Sequence, residues 1–83
     1  MTNDQIGKFV DPKHLDQSPV QINFKTRASI RGIFIKTADY TELKSKNLWR
    51  IVGGVNIDEY TKSRDINLAR IFNGVEITKL ETL

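Results

Sequence analysis

The spacing of hydrophobic residues changes at Val20. Before it, Ile6, Phe9 and Val10 recur at i, i+3 and i+4, which places them on one face of a short helix with Asn3 or Asp4 available as its cap. Asp11-Pro12-Lys13-His14 and Gln17-Ser18-Pro19 break that pattern, because proline offers no amide to a helix interior. Residues 1–19 are therefore expected to form a short helix and an arm that packs as a lid. From Val20 the period is two: Val20, Ile22 and Phe24 alternate with Gln21, Asn23 and Lys25, the pattern of a strand with one wet face.

A polar turn at residues 26–29 leads into Ile30-Arg31-Gly32-Ile33-Phe34-Ile35-Lys36, a strand whose two faces are both partly apolar. Gly32 within it marks a bend, since a residue without Cβ lets a sheet curl. After a polar loop around residues 38–41, the run from Leu43 to Val52 supports a third strand, closed by Gly53-Gly54. Residues 56–65 are polar, with Ile57 and Tyr60 three apart, and read as a long loop or one helical turn. Leu68–Phe72 and Val75–Leu80 are apolar runs separated by Asn73-Gly74, the pair that best tolerates a tight type I′ turn, so a hairpin is predicted there. Five short strands without a parallel crossover give a mostly β fold: a small, strongly bent five-stranded antiparallel sheet or an SH3-like barrel, with a short N-terminal helix. No repeat, linker or low-complexity segment divides the chain, so residues 1–83 are read as one domain, with the sheet or barrel over 20–83.

Eighty-three residues leave room for one core, so a site must lie on a surface or at a contact between subunits. With 39% hydrophobic and 28% charged residues, the composition is that of a folded globular chain. The absence of cysteine excludes a disulfide-stapled scaffold and is compatible with a reducing compartment. No signal-like leader is seen, and no segment reaches the roughly 18 apolar residues of a membrane span. The expected location is the cytoplasm.

Charge is distributed unevenly. Lys25, Arg27, Arg31, Lys36, Lys44, Lys46 and Arg50 stand against only Asp39 and Glu42 between residues 20 and 52, whereas the rest of the chain holds six basic and eight acidic residues. Such a block suits a polyanion, because each Lys or Arg near a phosphate releases a condensed counterion. It equally suits a solvated sheet edge that resists strand pairing. Phe34, Tyr40, Trp49 and Phe72 interleave with Arg31, Lys36, Arg50 and Arg70, the mixture that stacks bases and holds phosphates. Trp49 and Phe72 are expected in the core, and Tyr40 is the aromatic expected to be exposed and to stack on a base.

Catalytic and metal-binding patterns are sparse. His14 has no second His or Cys beside it, and Asp58, Glu59 and Asp65 lack the spacing and glycine of a calcium loop. Ser29, Ser45 and Ser63 lack a base oriented by a third group. Tyr40 and Lys44 match the Tyr-x-x-x-Lys spacing of short-chain dehydrogenases, but the glycine-rich dinucleotide turn which that chemistry requires is missing. Neither a cofactor nor a small-molecule substrate is expected, and no enzymatic activity.

Two resemblances bear on function. IRGIFIKTADYTELKSKNLWRIV and ARIFNGVEITKL are similar to small uncharacterised bacterial proteins loosely labelled short-chain dehydrogenase. By order of features, with an N-terminal helix, VQINF, a bent IRGIFIK, Asp39-Tyr40 in the next loop and a closing IFNGVEITKL, the chain resembles an Sm-like domain of the Sm and Hfq kind. That resemblance implies an RNA pocket on the inner rim of a ring, at positions matching Asp39, Tyr40, Asn73 and Gly74. The chain departs from the pattern in lacking Asn-Gly between the first two strands, in having Asn73 where Arg is expected, and in its long 53–65 segment.

The expectation is a non-enzymatic RNA-binding module, Sm-like or ribosome-associated, whose partner is ribosomal or small RNA and which can form a homo-oligomer. Lys25, Arg27, Arg31, Lys36, Lys44, Lys46 and Arg50 would serve phosphates, and Tyr40 a base. The alternative is an assembly module in which an exposed strand edge such as Val75–Leu80 pairs with a partner.

Overall fold

A computed structural model describes residues 1–83. Helix α1 (Asn3–Val10) begins at Thr2, whose hydroxyl accepts from the Gln5 amide while the Gln5 side chain accepts from the Thr2 amide. This reciprocal cap satisfies two of the donors that every helix start leaves open, and it moves the cap one residue ahead of the expected Asn3. Ile6 and Val10 are buried beneath the helix, and Phe9 packs against the same cluster.

Strands β1 (Val20–Phe24), β2 (Ile30–Phe34), β3 (Leu48–Gly53), β4 (Ala69–Asn73) and β5 (Ile77–Thr82) form one antiparallel sheet in the order β4-β3-β2-β1-β5. The sheet is open, with β4 and β5 as its edges. It is also strongly curled. Two strands separate β1 from β4, which at about 4.8 Å per strand would hold them near 14 Å apart in a flat sheet. Yet the rings of Phe24 and Phe72 lie 5.7 Å apart between centroids.

Gly32 permits the curl. A methyl group there would fall 2.8 Å from Ile51 Cγ2 and 3.1 Å from Ile22 Cδ1. On the concave side, β1, β2, β3 and β5 bury Val20, Ile22, Phe34, Trp49, Ile51, Ile77 and Leu80 against Ile6 and Val10 of α1. On the convex side, Ile33, Ile35 and Val52 are covered by Ile57 and Tyr60 of helix α3 (Ile57–Ser63). The two apolar faces of β2 thus serve two separate clusters.

Three local expectations are corrected. The polar stretch after β2 holds helix α2 (Tyr40–Ser45), and the loop-or-turn region holds α3, nearly two turns long. Asn73-Gly74 is not a hairpin turn: β4 and β5 lie at opposite edges, and neither residue has a positive φ. Instead the Asn73 side chain accepts from the Val75 amide and starts a 3₁₀ turn over Gly74–Glu76 that carries the chain across the curled sheet. Glycine is needed at 74 for space, since a Cβ there would meet Asn47 Oδ1 at 2.1 Å and Ile6 Cδ1 at 2.7 Å.

Gly74→Ala is therefore expected to lower stability by about 2 kcal/mol, in the range of overpacked cores. Gly53→Ala, which meets nothing within 4 Å, should change it by less than about 0.5 kcal/mol. Urea midpoints at constant slope test the pair, and equal effects would contradict the close approach.

Candidate binding groove

The curl leaves one end of the concave face unfilled. Ile51 is in register with Arg70 and Trp49 with Phe72, so both β4 side chains share the concave side of the core strand. Ile30 occupies the same side of β2, since it pairs with core Ile22. At the end of β1, the pairing with β5 shifts register between Asn23 and Phe24. Such an irregularity re-aims a side chain at a sheet margin. The polar connection 25–29 then turns back, and the Arg27 guanidinium carbon sits 5.0 Å from the Phe24 ring centroid and 5.6 Å from that of Phe72.

Two adjoining depressions flank this stack and share Arg27, Arg70 and Phe72. The first, of about 290 Å³, is completed by Phe24, Thr26, Ile71, Asn73 and Glu76. The second, of about 390 Å³, has Ile30, Ile51 and Leu68 in its lining, with Arg31 and the Gly54–Asn56 turn on its border. Arg27, Arg31 and Arg70 enter none of the five ion pairs and none of the side-chain hydrogen bonds of the chain. All three are exposed. The groove thus joins apolar and aromatic surface to the uncommitted guanidinium groups of Arg27 and Arg70, faced by the single carboxylate of Glu76, with the exposed Arg31 at its border.

The rest of the basic block is dispersed. Lys44 binds Asp11 at 2.6 Å, Lys46 lies 3.6 Å from Glu42 on the exposed side of α2, and Arg50 grips Asp39 through Nε at 3.3 Å and Nη2 at 2.8 Å. The Arg50 guanidinium and the Thr37 hydroxyl hold the Asp39 carboxyl down to about 2. Lys25 and Lys36 are exposed and unpaired, and neither lines the groove. Of the positions singled out in the sequence, Arg27, Arg31 and Asn73 meet there, while Gly74 is buried beneath Asn47.

Tyr40 is half-buried in α2 and not an exposed stacking residue. Its ring meets Trp49 edge-on, with centroids 6.0 Å apart, and its hydroxyl donates to Asp11. Burial, and then the Asp11 carboxylate, push its ionisation well above the usual phenol range. Asp11 itself is shifted down: burial opposes its charge, but hydrogen bonds from Lys44 and Tyr40 together with the Lys44 charge outweigh that. In this setting the Tyr-x-x-x-Lys pair clamps α2 to the end of α1, because i and i+4 share a helix face.

Phe24, Thr26 and Glu76 were not singled out from sequence, and Arg70 and Phe72 were named only in the mixture of aromatic and basic residues, not as site positions. The alternation Arg70-x-Phe72 carried a local signal, because residues two apart on a strand share a face. Comparison with protein-family models, curated proteins and solved structures returns no match.

Folding lowers the Asp39 pKa from its ordinary 3.8 to about 2, so its contribution is complete above about pH 4 and is lost as pH falls through about 2. Asp39→Asn should accordingly flatten the decline of stability across that interval, as followed by urea unfolding at stepped pH. An unchanged acid slope would remove Asp39 as its source.

Proposed function

We propose that the protein binds single-stranded RNA along the arginine-rimmed groove, as a binding module without covalent chemistry. The observation that carries this reading is the Arg27 guanidinium resting on Phe24 and Phe72 between two depressions of mixed apolar and polar lining, with Arg31 and Arg70 also free of ion pairs. Unpaired bases stack on aromatic rings and guanidinium planes, while arginines hold the phosphates between them. The electrostatic footprint is narrower than the whole 25–50 block, since Lys44, Lys46 and Arg50 already have carboxylate partners. A short N-terminal helix before a bent five-stranded sheet also supports an Sm-like reading.

A second reading, assembly through strand edges, is favoured by the open sheet. The outer edges of β4 and β5 are unpaired, and Ile71 on β4 is about half exposed, so another strand can add to the ladder.

With three phosphates held, the logarithm of RNA affinity should fall against the logarithm of salt concentration with a slope of about −2. Arg27→Ala with Arg70→Ala should weaken binding at least about tenfold and flatten that slope, whereas Lys46→Ala should leave both nearly unchanged. Fluorescence anisotropy with a labelled oligoribonucleotide gives the affinities, and light scattering on the same sample gives the mass. Absent or salt-insensitive binding would remove the RNA reading, and a stable oligomer without RNA binding would favour edge assembly.

A further inference from the structure

Within the groove the two depressions differ in polar chemistry. The second is bordered by arginine and otherwise by apolar groups, glycines and Asn56. The first contains Glu76, whose carboxylate enters no ion pair and accepts no side-chain or backbone hydrogen bond. It also contains Asn73, whose Oδ1 accepts from the Val75 amide and whose Nδ2 hydrogens have no partner. A carboxylate acceptor and an amide donor therefore stand uncommitted beside the aromatic and guanidinium surface of Phe24, Phe72 and Arg27.

A ligand that presents only negative charge is poorly matched to this depression, because Glu76 repels it. The suitable ligand offers its phosphates to the arginines and hydrogen-bond donors to Glu76. Among the four RNA bases, guanine alone presents two adjacent donors, N1–H and the N2 amine, to the two oxygens of one carboxylate. It also presents the O6 acceptor, which suits the free Asn73 amide. Adenine and cytosine offer Glu76 only an amine. Uracil offers one N–H flanked by two carbonyl oxygens that repel a carboxylate.

We infer that the first depression is a guanine subsite in which Glu76 accepts from N1–H and N2–H, Asn73 donates to O6, and the neighbouring nucleotide lies in the second depression. This rests on the RNA reading of the groove and adds base selectivity to it. Recognition of a single-stranded base through its Watson–Crick edge beside an aromatic or guanidinium plane is a general route to RNA sequence preference. The shared Arg27 and Arg70 are placed for the phosphate between the two nucleotides.

The test compares a labelled uridine oligomer with the same oligomer carrying one central guanosine, by anisotropy on the full chain. The guanosine oligomer should bind about tenfold more tightly, the discrimination expected of a bidentate base contact. Inosine, which lacks the N2 amine, should lose much of that advantage. Glu76→Gln should abolish it while the uridine oligomer still binds, and since Glu76 is exposed and its side chain holds nothing in the fold, the circular-dichroism spectrum should be unchanged. Equal affinity for both oligomers, or preference for adenosine or cytidine at that position, with steep salt dependence retained, would overturn the guanine subsite and leave the RNA reading intact. No binding to any oligomer would overturn the RNA reading itself.

Discussion

The fold depends on Asn47 more than on any other polar residue. It ends α2 in the left-handed conformation, φ 58°, which asparagine enters at less cost than most side chains. From there its carbonyl accepts from the Gly74 amide at 2.8 Å, its Nδ2 donates to the Met1 carbonyl at 2.9 Å, and its Oδ1 accepts from the Trp49 indole at 2.8 Å. One residue, through its side chain and its backbone carbonyl, thereby joins the start of the chain, the entry to β3 and the connection between the sheet's two edges. Met1 is tied to that connection again, its nitrogen donating to Gly74 and Ile77 carbonyls. Trp49 is only 1% exposed, and leaving its N–H unpaired would cost about 1–3 kcal/mol, so the largest core side chain requires this amide.

Around that knot the sheet has to serve two clusters with few residues. Glycine at 32 lets the central strand curl over the concave core, while Ile33 and Ile35, facing the other way, are covered by Ile57 and Tyr60 of α3 with Leu68 and Ala69 packed beside them. The cover is fixed by polar contacts at its rim: Tyr60 donates to Asp16, and Arg64, which ends α3 in the left-handed region, reaches the same carboxylate at 3.4 Å. The concave core is capped by α1 at one end and left open at the other, so the groove lies where core packing runs out.

Strands were legible where a period of two persisted, as in Val20–Phe24, because alternation reports directly on a sheet with one buried face. The bend at Gly32 was legible for the same reason: an apolar strand with a missing side chain has few other uses. Helix α2 was not, because none of its residues is buried and its anchors are long-range, with Asp11 holding Tyr40 and Lys44, and Asn3 donating to the Lys44 carbonyl. Asn73-Gly74 misled because the dipeptide's local preference is overruled by Asn47, which is distant in sequence but requires glycine beside it. The basic block was legible only as a total, since a count of charges cannot reveal that Lys44, Lys46 and Arg50 have found carboxylates. Arg27 and Phe24 come together only through the turn between β1 and β2, and Phe72 only through the curl.

Because Arg27 and Phe72 form a wall common to both depressions, neither can be replaced without altering both halves of the groove. A substitution there that suits one occupant reshapes the compartment of the other, so effects on the two halves are coupled and will not add. Divergence of this surface is consequently freer at the exposed Glu76 on one side, or at the exposed Val55 on the other, than at the partition between them.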